Sequence, residues 1–163
     1  MNSEKENFLR TWNNEFQTTL KVIKAFPSHR ENFKPHELSR SAKELAWTIV
    51  GEERAITLGV ASGKIDFSMM ANAPENMKDL IEWYEKSHKE MVNEYSNLSE
   101  EELNKTMKFS IGPKQVGDFR KLDLLWMILM DAVHHRGQFS VYLRMAGGKV
   151  PSIYGPTADE PWN

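Results

Sequence analysis

The most reactive set of side chains lies near the C-terminus, in the run Asp131, Ala132, Val133, His134, His135, Arg136, Gly137 and Gln138. It interrupts a segment that is almost wholly apolar from Leu122 to Met130. Leu124, Ile128, Asp131, His135, Gln138 and Tyr142 step by 4, 3, 4, 3 and 4, the spacing of the inward seam of a bundle helix. That count predicts that Asp131 and His135 point into the core together. One helical turn apart, their Cβ atoms stand ~5–6 Å from each other, near enough to share a divalent ion or a hydrogen bond. A buried carboxylate without a partner is costly, so the pair needs a cation or a proton donor. Spacing alone leaves two readings open: a ligand pair for a metal, or an Asp–His or Asp–Arg contact that only fixes helix register.

The neighbouring groups divide on the same counting. His134 lies one residue round the helix and is expected to face solvent or an interface. Gly137 costs ~1 kcal/mol against Ala inside a helix, and is expected to admit a close neighbour. His88 continues the stripe Ile81, Tyr84, Met91 and Tyr95, so it faces an interior, either as a hydrogen-bonded core residue or as a further ligand. Glu52, one turn after Thr48, projects near the same face, either as a solvated charge or as a metal ligand.

These residues need helices to position them, and the sequence marks four long ones. In a capping box a Ser and a Glu three residues on satisfy each other's free backbone amides; Ser3/Glu6, Ser41/Glu44 and Ser99/Glu102 fit the pattern. The first box opens a helix with Phe8, Trp12, Phe16, Leu20 and Ile23 at helical spacing, stopped near Phe26 by Pro27. The second opens one through Leu45, Ile49 and Ile56 to about Gly59. Gly63 and the residues through Ala73 interrupt the period, and Pro74, suited to a first helical turn, is expected to begin a third. The third box introduces a short acidic helix to about Thr106, and residues 107 to 121, with Gly112, Pro113 and Gly117, read as a crossover loop. The last helix spans roughly Leu122 to Ala146, ending at Gly147-Gly148. At ~1.5 Å per residue its 25 residues span roughly 37 Å, which only an elongated bundle accommodates. No strand run stands out. The expectation is an all-α, four-helix bundle with a long crossover connection, forming one domain over residues 1–163.

Composition narrows the function. Lys and Arg number 21 against 23 Asp and Glu, a net charge of −2, so no positive field draws phosphate backbones or anionic lipid. The basic residues Lys114, Arg120 and Lys121 are too few for a nucleic-acid footprint. With no cysteine, disulfides, zinc–thiolate sites and a cysteine nucleophile are excluded. The N-terminus lacks a secretory signal and no segment approaches ~18 apolar residues, so a cytoplasmic protein without membrane or nucleic-acid partners is expected.

The motif His134-His135-Arg136-Gly137-Gln138, followed by Tyr142-Leu143-Arg144, Gly147 and the tail from Pro151 to Pro161, resembles the DinB family of DinB/YfiT-like metalloenzymes. The run from Ser41 to Trp47 and the four-helix layout are similar too. The resemblance implies a bundle that is often dimeric, holding a divalent metal such as zinc or nickel on three core side chains. It also implies, for some members, thiol transfer with a low-molecular-weight thiol such as bacillithiol, or mycothiol-dependent isomerisation. Two positions depart from the family pattern. Thr48 stands where a histidine usually follows the helix-two Trp, and Asp131 replaces the first histidine of the helix-four pair. Only His135 is retained in kind, so Glu52, His88 or His134 would have to complete the set.

Two function classes result. In the first, a metal on Asp131 and His135 activates an exogenous thiol for an electrophilic small molecule, with Thr48 near metal-bound water or substrate and Gln138 or Tyr142 orienting the ligand. In the second, a metal-free dimeric binding or stress-response bundle keeps a degenerate site. The all-round apolar first half of the last helix favours a homodimer in either case.

Overall fold

The computed structural model describes residues 2–65 and 73–162. Most of the interruption expected after Gly63 therefore lies outside the described residues. Four long helices form the body: α1 (Glu4–Lys24), α2 (Ala42–Ser62), α3 (Met77–Asn97) and, after three short elements, α5 (Lys121–Met145). Between α3 and α5 come α4 (Glu100–Asn104), β1 (Thr106–Gly112) and β2 (Gln115–Arg120).

Local chemistry sets the helix ends. Ser3 and Ser41 each form the full capping box, with Glu6 and Glu44, and Ser99 caps α4 by accepting from the Glu102 amide. α3 begins at Met77, later than Pro74, because the Asn76 side chain accepts from the Asp79 amide and caps it there. α2 runs beyond Gly59 to Ser62 and stops where Gly63 adopts a φ of 79°. At the end of α5 the Gly148 amide donates to Leu143 O and the Gly147 amide to Arg144 O, a Schellman closure. It needs the left-handed φ of 85° at Gly147, where a side chain would be strained.

Helices α1 and α2 each pack on both α3 and α5, so α1 faces α2, and α3 faces α5, across the diagonal of a four-helix bundle. The core has two apolar halves. One gathers Phe16, Leu20, Ile23, Ile49, Phe139 and Leu143; the other gathers Phe8, Trp12, Val60, Met91, Leu125 and Leu129. Burying each such side chain contributes ~1.5–3 kcal/mol, and the two halves are what keep the helices in register.

Residues 107 to 121 are not an irregular loop. They hold an antiparallel hairpin, with Met107 opposite Phe119 and Phe109 opposite Gly117, and α4 ends at Asn104 so that Thr106 can enter β1. The alternation Met107, Phe109, Ile111 against Lys108 and Ser110 is the period of a half-buried strand, although Gly and Pro at the turn disguise it. A two-stranded hairpin is marginal alone in water. Here Met107 is buried, and Phe109 and Phe119 meet edge to face at 6.1 Å. Arg120 bonds Glu4, Asn104 and Asp123, while Lys121 reaches Glu102. The side-chain bonds from Lys105 and Lys121 hold the Glu102 carboxyl at about 2, well below the ordinary carboxylate range. No described helix is long and apolar enough to cross a membrane.

Candidate metal centre

Rotation of α5 decides the site. Its buried stripe is Leu125, Leu129, Ala132, Arg136, Phe139 and Leu143, one residue round from the seam counted through Leu124 and Asp131. The apolar first half of the helix fits either count. Arg136 takes the inward position because the core can satisfy it: its guanidinium donates to Glu15 at 2.7 Å, to Thr19 at 3.2 Å and to the Tyr154 hydroxyl. Asp131 and His135 consequently sit on the flank of the bundle beside α2, with side chains 43% and 18% exposed. Gly137 does not admit a close neighbour either, since an added Cβ there would meet nothing within 4 Å.

On that flank Glu52 of α2 joins Asp131 and His135, and one donor atom from each lies within 4.8 Å of the others. The His135 Nε2 to Asp131 Oδ2 distance is 3.4 Å, close to the ~3.4 Å edge expected between two ligands of a tetrahedral ion with bonds of ~2.1 Å. The imidazole is oriented from behind. Its Nδ1 meets Gln138 Oε1 at 3.0 Å; an amide oxygen only accepts, so Nδ1 carries the proton and Nε2 offers its lone pair towards Asp131. The Gln138 amide nitrogen in turn lies 2.9 Å from His134 Nε2, so His134 stands one bond further out and is exposed. Burial, and the Asp131 carboxylate beside it, push the Glu52 carboxyl above its ordinary value, against the opposing charges of His135 and Arg40. Two carboxylates and one imidazole match a divalent cation in charge and in donor type, and a cation there would relieve the repulsion that raises Glu52.

The other candidates lie elsewhere. Thr48 is buried and engaged, donating to Glu44 O at 3.0 Å and accepting from Arg40 Nη1 at 2.9 Å. Tyr142 is half-buried and packs edge-on against Phe33. His88 is buried as its stripe requires, but it belongs to a second polar group between the two core halves. Its ring stacks on Phe16 at 3.8 Å, its Nε2 meets Asn13 Oδ1 at 2.9 Å, and its Nδ1 stands 3.5 Å from Glu53. Glu53, 3% exposed, accepts from Trp12 at 2.6 Å and Tyr84 at 3.0 Å. Adjacent glutamates thus serve opposite environments, because neighbouring residues project ~100° apart on a helix. Sequence reasoning missed both Glu53 and Arg136. A signal existed: Glu53 follows Ile49 by four, and Arg136 follows Ala132 by four, on stripes that are otherwise apolar.

Two cavities meet at Glu52. One of about 500 Å³ is rimmed by charged side chains, with Lys34, Arg40, Lys43, Trp47, Thr48 and Glu52 among its lining. The second, of about 280 Å³, is lined by Glu52, Ile56, Phe109, Met127, Ile128 and Asp131.

The sequence model of the DinB family matches residues 1–162. The uncharacterized protein YrdA of Bacillus subtilis (strain 168) is 24% identical over 163 residues, spanning 95% of this chain and 90% of its own length. Among solved structures, a DinB-like protein (YjoA) of Bacillus subtilis superposes with a TM-score of 0.72 at 21% identity, covering 90% of this chain and 97% of that one. A DinB-like protein of Bacillus cereus reaches 0.76 at 24% identity, covering 91% and 97%. These two likenesses establish the shared fold.

Proposed function

From the premise that this chain belongs to the DinB family, we propose that it holds a divalent metal on Glu52, Asp131 and His135 and acts as a transferase that uses a low-molecular-weight thiol on an electrophilic small molecule. The observation that carries this reading is the convergence of the three donors within 4.8 Å, with His135 Nε2 turned towards them by Gln138. A bound divalent ion supplies Lewis acidity, which lowers the pKa of a thiol or water placed against it. The chain's own side chains do the rest. Glu52 and Asp131 neutralise the ion's charge, and Gln138 fixes the His135 tautomer. Ile56, Phe109, Met127 and Ile128 exclude water on one side. Arg40, steadied by Thr48, places a cation near Glu52 on the other. Having no cysteine, the protein must take its thiol from a cosubstrate. On this reading the family's helix-two ligand position has moved one turn along α2, from Thr48 to Glu52.

Calorimetry with Zn²⁺ and Ni²⁺ on tag-free protein tests the proposal. Micromolar or tighter binding is expected, weakened at least ~10-fold by Glu52→Gln, Asp131→Asn or His135→Gln and by ~10-fold or more in Gln138→Ala. Absence of binding, or binding indifferent to all four changes, overturns it in favour of a metal-free binding protein. We further propose a homodimer, formed through the apolar groove between α1 and α5 that Trp126, Leu129, Met130 and Val133 line, where Met130 is 63% exposed.

A further inference from the structure

The hairpin β1–β2 adds a wall to the bundle on the same flank as Glu52, Asp131 and His135. The smaller cavity there opens to solvent and is walled by Phe109 from β1, Ile56 from α2, and Met127 and Ile128 from α5, with Glu52 and Asp131 as its polar residues. We infer that this cavity seats an uncharged hydrocarbon limb of the small-molecule substrate, with its reacting atom held at the Glu52/Asp131 end, and that Phe109 determines which limbs fit. This rests on the metal-centre reading for the identity of the reacting end, while the cavity itself does not depend on it.

Three observations support the assignment. Charge comes first: apart from Glu52 and Asp131, which the metal-centre reading assigns to the ion, the lining is apolar, and no described cationic side chain lines the cavity to hold an anionic limb. Size comes next. A dry apolar cavity of ~150 Å³ accepts benzene, so about 280 Å³ leaves ample room for a limb of roughly six to eight carbons. Rigidity comes third. Phe109 is held edge to face by Phe119 at 6.1 Å, the strand after it ends in Arg120, and that guanidinium is bonded to α1, α4 and α5 through Glu4, Asn104 and Asp123. A fixed ring opposite Met127, whose thioether side chain adapts readily to different shapes, is the arrangement of a pocket that selects by length and bulk. The larger cavity, with Lys34, Arg40 and Lys43, has the opposite character and is not expected to compete for such a limb.

The test titrates ethanethiol, butanethiol and hexanethiol onto zinc-loaded protein labelled at its methionine methyls, reading Met127, which Met127→Leu assigns. Affinity is expected to rise about fourfold per methylene until the cavity is filled. Phe109→Ala should flatten that dependence, and Phe109→Leu, which keeps a shorter wall and serves if the alanine variant melts, should give an intermediate slope. A wild-type affinity independent of chain length, or a slope that both Phe109 variants leave unchanged, overturns the inference while the metal centre stands. If zinc fails to bind, the metal reading falls separately. The same series on metal-free protein then decides the cavity: a length-dependent Met127 shift lost in the Phe109 variants supports it, and no shift overturns it.

Discussion

At the scale of single residues, the site turns on how carboxylates are accommodated. Glu52 is the exposed-flank case: its carboxyl is raised by burial and by Asp131, so below its folded value the native state holds a proton that the unfolded chain has already released. Stability therefore falls as pH rises from the ordinary carboxylate range through that raised value. Glu52→Gln removes the ionised group. Metal-free E52Q is expected to melt above wild type at neutral pH, with the gap closing as pH falls towards 4, while zinc raises its Tm less than that of wild type; scanning calorimetry with and without chelator reads both effects. Arg136 is the opposite case, a fully buried cation balanced by Glu15, Thr19 and Tyr154. Its replacement by Met leaves the partly exposed Glu15 with only the Tyr154 hydroxyl and should cost ~2–3 kcal/mol, most of it recovered when Glu15→Leu is added; urea denaturation of the two variants checks this. The motif that carries the family resemblance is thus divided: His135 and Gln138 face the candidate metal centre, whereas Arg136 fastens α5 to α1 and to the tail.

Elements place these residues through their ends and their rotation. Capping boxes at Ser3 and Ser41 fix where α1 and α2 begin, and hence which turn of α2 lies opposite Asp131. In α5, Gly137 occupies a helical position whose outward space is empty, so it weakens the helix without admitting a neighbour. Gly137→Ala should stabilise the protein by ~0.5–1 kcal/mol, a rise of ~1–4 °C in Tm, with zinc affinity unchanged; a fall in Tm would mean that this face is covered in solution. The hairpin is the element the sequence disguised, because Gly112, Pro113 and Gly117 read as loop while the strand alternation occupies only a few positions. Met107, Phe109 and Phe119 make it a strand pair once the bundle supplies a surface to pack on.

For the whole molecule, the unpaired groove of Trp126, Leu129, Met130 and Val133 is the place where the proposed dimer would form. Light scattering should give twice the chain mass for wild type and the chain mass for Met130→Glu, with helical content preserved; a monomeric wild type would remove the dimer. The sequence by itself determined the four long helices, since caps, stripes and the closing Gly147 are local, and it determined the Asp131–His135 pairing, which depends only on one helical turn. The absence of cysteine likewise bounded the chemistry without reference to fold. Tertiary structure alone decided that Glu52, open by spacing between a solvated charge and a ligand, meets that pair, that His88 belongs with Glu53, and that Arg136 takes the core seam of α5 and leaves Asp131 on the flank. The reason is physical: Glu52 and Glu53 have the same local chemistry, and so do the alternative stripes of a helix that is apolar on every side. A rotation of ~100° per residue is settled only by which distant groups, here Glu15, Thr19, Trp12 and Tyr84, can satisfy what is turned inward.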